Sequence, residues 1–340
     1  MEAADYIIAT GSSARCLPGL SFDGKRILSP EQAMADFTFL PDRLAIIGGG
    51  VIATELASRC QVLGCHVTMV VRSEVLRRFD KDVRKICHSS LENLGVKIIR
   101  GAEIESFNLS NDRINIQLGK NHHNIDVDVD KIVVAVGRQP NTRDLGLKEI
   151  GIDLDTGGFI SVNSRYETNI PGIYAVGDVI GGALLAHKAS AEGLRVVDIL
   201  AGITSGKISE NIPRMVFSAC EVASVGLTQD EAEAKGIKVK IGNFPFSALS
   251  NALANDRPNG FIKILADAEN DRILGIHIAG ECATELVGEA TLAIEEKITS
   301  RKFAEVVRPH PTYSEAFTDA ALDVNSQAVH YFRMPRLRKG

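Results

Sequence analysis

The stretch RLAIIGGGVIATELASRCQVLGCHVTMVV, residues 43–71, restricts the fold more than any other part of this sequence. An apolar run feeds straight into three glycines, a segment with helical periodicity follows, and a second β-branched run closes it. That order is a βαβ unit, with the glycines at its first strand-to-helix turn.

The turn carries a specific chemistry. Gly48-Gly49-Gly50-Val51-Ile52-Ala53 fits G-x-G-x-x-G/A. Gly48 allows the tight turn, Gly50 lets backbone approach a pyrophosphate, and small Ala53 permits close helix packing, while the helix N-terminus offers N–H donors to phosphate. A glycine turn without ligand is the plainer alternative. An NAD-binding unit of this kind usually carries Asp or Glu about 20 residues on, at the end of the second strand. Here Val70-Val71-Arg72 stands in that place. Arg72, with Arg77 and Arg78 behind it in RSEVLRRFD, matches a 2′-phosphate, because guanidinium forks fit phosphate oxygens. This leans towards NADP; a solvated basic turn fits the same residues.

A chain of 340 residues exceeds one ordinary core and suggests two to three domains. The short β-like run DYIIAT opens it, and a helix near residues 81–93, the strand KIIRG and short alternating strands from Ile104 to Ile125 follow the βαβ unit. KIVVAVG closes that region at Gly137. Turn-rich sequence then leads to GIYAVGDV, a buried strand ending in Gly177-Asp178, and to a helix near residues 187–201. This second nucleotide-type unit is cut in two by the first. From about residue 209, VFSACEVASVGL, FIKILAD and ILGIHIAG alternate with helices in an α+β pattern. The fold class expected is α/β, with Rossmann-like nucleotide-binding domains and an α+β C-terminal domain.

Charge and apolar runs exclude other classes. The net charge is −5 with no long Lys or Arg run, so no nucleic-acid surface is expected. No apolar stretch reaches the roughly 18 to 20 residues of a membrane span, and MEAADYIIATG lacks the pattern of a signal peptide. Six irregularly spaced cysteines make no disulfide framework, which suits the cytoplasm. His122-His123 lies in a polar turn without ligand spacing, so no metal site is expected.

IIATGS, IIGGGVIATE, AVGRQPNT, IYAVGDV, LLAHKASAEG and RPHPTYSEAF stand in one order along nearly the whole chain. In that order the sequence resembles the flavoprotein pyridine-nucleotide disulfide oxidoreductases. LLAHKA, GIHIAGECATELVGEATLAI and HPTYSEAF are most similar to the dihydrolipoyl dehydrogenase branch, whereas Arg72 and Arg77 are similar to the arginines of the NADPH-dependent glutathione- and mercuric-reductase branches. The resemblance implies FAD and NAD or NADP as cofactors and oxidation of dihydrolipoamide. It also implies a homodimer and, as a partner, a lipoyl domain of a 2-oxo acid dehydrogenase complex or the glycine cleavage system. By the same resemblance, residues 1–41 and 138–208 belong to an FAD-binding domain, 42–137 to an NAD(P)-binding domain and 209–336 to a dimerisation domain. It puts Gly48, Gly49, Gly50, Val51, Ile52, Ala53, Thr54 and Glu55, together with Val71, Ile104 and Gly137, along the nicotinamide nucleotide. Thr10, Gly11, Ser12, Asp178, Leu184, Leu185, Ala186 and His187 fall against FAD. His310 becomes the acid/base of the thiol–disulfide step, oriented by Glu315 and supplied across the dimer interface.

The residue types support that last role independently. An imidazole titrates near neutrality, and a carboxylate partner fixes its tautomer and raises its basicity. Thr312-Tyr313-Ser314-Glu315 is equally an S/T-x-x-E capping box, in which Glu315 only caps a helix. Two parts of the family pattern are not in this sequence: the family's own flavin-binding glycine motif and its C-x-x-x-x-C redox pair. Cys60 and Cys65 in CQVLGC copy the spacing but sit beyond the nucleotide glycines, and they read as buried structural thiols. The sequence as it stands therefore reads as a truncated member, inactive without its N-terminal half and with apolar surface left uncovered.

Overall fold

A computed structural model describes residues 2–35, 40–110, 113–120 and 123–331. His122 and residues 332–336 of the expected C-terminal domain lie outside the described residues. The chain divides into two compact units, residues 1–22 with 134–212 and residues 23–133 with 213–340.

In the first unit β1 (Tyr6–Ile8) pairs in parallel with a strand far along the chain, and β2 (Ser12–Ala14) pairs in antiparallel. The second unit opens with β3 (Ile27–Leu28) and α1 (Pro30–Ala35), neither of which periodicity had marked. The βαβ unit follows as β4 (Arg43–Ile47), α2 (Val51–Val62) and β5 (His66–Val71), with β4 and β5 parallel in register Ala45↔Thr68. α3 (Lys81–Asn93) leads to β6 (Lys97–Arg100), parallel to β5. The short alternating strands expected from Ile104 to Ile125 form a three-stranded antiparallel sheet of β7 (Glu103–Leu109), β8 (Ile114–Lys120) and β9 (His123–Val129). Its alternation is plain on β8, where Ile114, Ile116 and Leu118 are fully buried. β10 (Lys131–Val134) completes a five-stranded sheet in the order β3-β10-β4-β5-β6.

The chain then returns to the first unit. β11 (Arg138–Pro140) is the partner of β2, and β12 (Ile173–Ala175) is the partner of β1, with Tyr6↔Ile173 in register. α4 (Ala186–Leu200) buries Val196 and Ile199 and leaves Leu194 and Val197 exposed.

The remainder of the second unit is an antiparallel sheet of β13 (Arg214–Val216), β14 (Val222–Gly226), β15 (Val239–Pro245), β16 (Phe261–Asp267) and β17 (Ile273–Ala279). Its order is β13-β14-β17-β16-β15. Between the strands lie α5 (Gln229–Ala234) and α6 (Ser250–Ala254), and α7 (Ala283–Glu295), α8 (Ser300–Ala304) and α9 (Ala316–Asp323) follow. α7 packs over β14 and β17, and α9 over β15. Gly242 makes the second contact possible, because a Cβ there would lie 2.0 Å from the Ala320 carbonyl oxygen. VFSACEVASVGL reads as one strand but is two. The amides of Phe217 and Ala219 donate to Glu55 and Ser58 of α2, and these bonds take the intervening residues out of the ladder.

His277, on β17, is fully buried; its Nε2–H donates to the Leu227 carbonyl at 3.0 Å, and Nδ1 accepts from the Ser224 hydroxyl at 3.0 Å. Burial holds its pKa below the ordinary 6.5. The unfolded chain therefore binds the proton first as pH falls, and stability drops below about pH 6.5. Urea unfolding between pH 7 and 5 should show this loss, and His277→Gln should flatten that part of the slope. An unchanged slope would place the sensitivity elsewhere.

Candidate nucleotide and acid/base sites

The glycine turn is held from beneath. Gly48 sits at φ +136°, and its N–H donates to the Val70 carbonyl, which ties the turn to β5. A Cβ on Gly49 would meet Val71 Cγ1 at 2.6 Å and the Glu74 carbonyl at 3.0 Å. Val71 is therefore buried under the turn, and its side chain shapes the loop from below. Gly50 is the opposite case: it is exposed, a Cβ there meets nothing within 4 Å, and as N-cap of α2 it contributes no side-chain bond. Open space over uncapped N–H groups of a helix is the arrangement a dinucleotide pyrophosphate requires.

The other expected nucleotide residues divide by exposure. Val51 and Ile52 are half-buried, while Ala53 and Thr54 are fully buried. Glu55 turns to the β13–β14 connection, accepting from Phe217 N–H at 2.9 Å; burial pushes its carboxyl above the ordinary range and that N–H opposes the rise. Arg72 and Arg77 are exposed. Glu74, the acid nearest the end of β5, is taken by Arg84 at 2.8 Å. Ile104 is half-buried on β7, opposite Leu118. Gly137 falls in the first unit, at φ +127° with open space around its Cα, and its carbonyl accepts from Arg15 N–H.

The first unit gathers most of the residues assigned to the flavin. Asp178 accepts from the Ser12 hydroxyl, Arg138 Nε donates to the same hydroxyl at 2.7 Å, and Arg138 Nη2 donates to the Ser12 carbonyl at 2.7 Å. Thr10 and Asn141 exchange side-chain-to-backbone bonds at 2.8 and 2.9 Å, which brace Gly11 between them. Gly177, at φ +79°, donates its N–H to the buried Glu192 at 2.9 Å, and Lys188 pairs with Glu192 at 2.8 Å. Leu184 and Leu185 lead into α4, where Ala186 and His187 form an exposed first turn with no side-chain cap at Leu185. A fixed carboxylate and an open helix N-terminus suit the hydroxyl and carbonyl groups of a flavin nucleotide. Arg138, Lys188 and Glu192 escaped the sequence reading. Lys188 and Glu192 are four apart in AHKASAEG, which looks the same for a surface pair.

His310 and Glu315 meet. His310 Nδ1 lies 2.8 Å from Glu315 Oε1, and Glu315 Oε2 accepts from Thr312 N–H at 2.8 Å. The carboxylate thus serves both readings of the motif: one oxygen orients the imidazole, the other holds the helix entry. Bonded this way, Nδ1 carries the proton and Nε2 presents a lone pair on a side chain that is 69% exposed. Cys60 and Cys65 are free thiols. Burial pushes Cys60 up to about 11 and also raises Cys65, so neither is a thiolate at neutral pH.

Residues 1–193 match the model of the pyridine nucleotide-disulphide oxidoreductases, and residues 212–321 match that family's dimerisation domain. The chain belongs to the pyridine nucleotide-disulphide oxidoreductase family, whose members imply FAD and a nicotinamide dinucleotide as cofactors. Within that family it is dihydrolipoyl dehydrogenase-like. It is 40% identical over 329 residues to the dihydrolipoyl dehydrogenase of Bacillus subtilis, covering 96% of this chain and 69% of that protein. Against dihydrolipoyl dehydrogenase 2 of Arabidopsis thaliana it is 38% identical, covering 97% and 66%. The chain therefore spans about two thirds of the length of such relatives. LpdA of Mycobacterium tuberculosis superposes with a TM-score of 0.86 at 28% identity, over 93% of this chain and 68% of that one. The HOCl-induced flavoprotein disulfide reductase RclA of Escherichia coli, as its Cu(II) complex, gives 0.86 at 25%, over 94% and 72%.

The tight contact at Gly49 sets an expectation. Gly49→Ala should displace the Val71–Glu74 segment, lower stability by about 1–3 kcal/mol and weaken dinucleotide binding. Thermal unfolding and nucleotide titration of the same variant check both, and wild-type values in both would show that the turn has slack.

Proposed function

We propose that the complete enzyme to which this chain belongs oxidises dihydrolipoamide carried on a lipoyl domain of a 2-oxo acid dehydrogenase complex or the glycine cleavage system, as a homodimer in the cytoplasm, with NAD(P)⁺ as final acceptor. The observation that carries this reading is the His310–Glu315 pair, with an oriented imidazole and an open Nε2. Nε2 takes a proton from a dithiol sulfur and returns it in the reverse reaction, and Glu315 holds the Nδ1–H and stabilises the imidazolium. Gly48 to Ile52 and the first turn of α2 hold the pyrophosphate. Thr10 to Ser12, Asp178 and the segment Leu184 to His187 hold FAD, which when bound relays two electrons between a dithiol and the nicotinamide. Support comes from the dihydrolipoyl dehydrogenases among its relatives.

In the chain complemented with the family's flavin half and its redox cysteine pair, His310→Gln should lower the rate of lipoamide turnover by about 10²- to 10⁴-fold while leaving dinucleotide affinity intact. A near-wild-type rate would refute the base role.

A second reading follows from the exposed Arg72 and Arg77 at the end of β5, with Glu74 occupied by Arg84. They favour NADPH as the nucleotide, and with it a reductase of a small disulfide or metal ion, of glutathione- or mercuric-reductase type. Replacing both arginines with alanine should raise KM for NADPH at least tenfold and leave KM for NADH unchanged. A preference for NADH in the unaltered protein would remove this reading and leave the first.

A further inference from the structure

The segment Arg72–Asp80, between β5 and α3, carries three exposed arginines, Arg72, Arg77 and Arg78, and is held at four points. Leu76 N–H donates to the Gly49 carbonyl at 2.7 Å, with Leu76 itself at φ +52° and buried. Arg84 Nη1 donates to Glu74 at 2.8 Å. The remaining two points come from the antiparallel sheet and its α5 neighbour. Arg214, on β13, donates through Nη1 to the Arg78 carbonyl at 3.2 Å. Lys263, on β16, donates to Asp80 at 2.8 Å, to Asp82 at 2.6 Å and to Gln229 at 3.0 Å.

The last cluster is unusual in its burial. Lys263 is 1% exposed and Asp80 is fully buried. Each of the three ammonium protons has its own acceptor. Asp80 Oδ1 also accepts Asp82 N–H at 3.0 Å as the N-cap of α3, and Oδ2 accepts Gln229 N–H at 3.1 Å. Burial alone would raise the Asp80 carboxyl, yet it lies below its ordinary value because the Lys263 ammonium and the Asp82 N–H favour the charged form. Desolvating both ions is costly, and apolar residues of the same volume are often as stable or more so. What an ion pair supplies that apolar packing does not is a fixed register between the two elements it joins.

We propose that Arg214 and Lys263 are positioning residues for recognition of the nucleotide 2′-phosphate: they clamp the Arg72–Asp80 segment so that Arg72 and Arg77 are fixed at the end of β5. The inference rests on the NADPH reading of those two arginines. Neither Arg214 nor Lys263 touches the nucleotide. They act through the segment's backbone, and so they affect the group that the segment's arginines bind and leave the pyrophosphate turn unaffected.

The test is calorimetric titration of the FAD-loaded protein with adenosine 2′,5′-bisphosphate and, separately, with adenosine 5′-monophosphate. Arg214→Ala, which removes one hydrogen bond to a carbonyl, should weaken the bisphosphate about three- to tenfold and leave the monophosphate within twofold. Arg214→Lys should recover part of the loss. Lys263→Met should weaken the bisphosphate at least as much if the variant folds; if it does not fold, Arg214→Ala decides alone. Unchanged bisphosphate affinity in folded Arg214→Ala overturns the proposal, and so does an equal loss for both ligands, which would mark general loosening. A double Arg72→Ala/Arg77→Ala variant separates the two levels. If it binds the bisphosphate as tightly as the unaltered protein does, the underlying nucleotide reading fails.

Discussion

The missing side chain at Gly49 is what the nucleotide-binding unit depends on. With Val71 directly beneath it, the turn from β4 into α2 lies flat against the end of β5, and the segment after β5 folds back over the same point through Leu76. The open N-terminus of α2, the exposed Gly50 and the placement of Arg72 all follow from that one close approach. A methyl group there would separate the turn from the strand, and the uncapped N–H groups of α2 and the exposed arginines after β5 would lose their common base.

A second regularity is the use of single carboxylates for two tasks. Glu315 orients an imidazole with one oxygen and accepts a backbone N–H with the other. Glu192 holds the Gly177 amide and the Lys188 ammonium, and Asp80 caps α3 while it neutralises Lys263. In each case both carboxylate oxygens are bonded. Local structure and chemical function are therefore not separable at these positions: a substitution that removes the charge also removes a turn or a cap.

How much of this was legible depended on sequence distance. The β4–α2–β5 unit, the helix over 81–93 and the Gly177-Asp178 strand end were readable because periodicity and turn residues act within a few positions of each other. The His310–Glu315 contact spans five residues and could be reasoned from residue type. Lys263 and Asp80 stand 183 residues apart, and Arg138 and Ser12 stand 126 apart; no local pattern links them. The break between β13 and β14 was hidden for the same reason, since the groups that capture Phe217 and Ala219 lie on α2, more than 160 residues earlier. Lys263 reads as an ordinary polar interruption of FIKILAD, and its burial is visible only once α3 is in place.

The pairing of Tyr6 with Ile173 has a consequence for the order of events during synthesis. β1 leaves the ribosome long before its partner β12, and the whole of residues 23–133 emerges between them. The parallel strands β4, β5 and β6, whose contacts span short stretches of chain, are complete once residue 100 has emerged. Closing β1 on β12 requires a far longer loop, with its larger entropy cost. The strands β4, β5 and β6 are thus able to become compact while β1, which precedes them, still waits for β12.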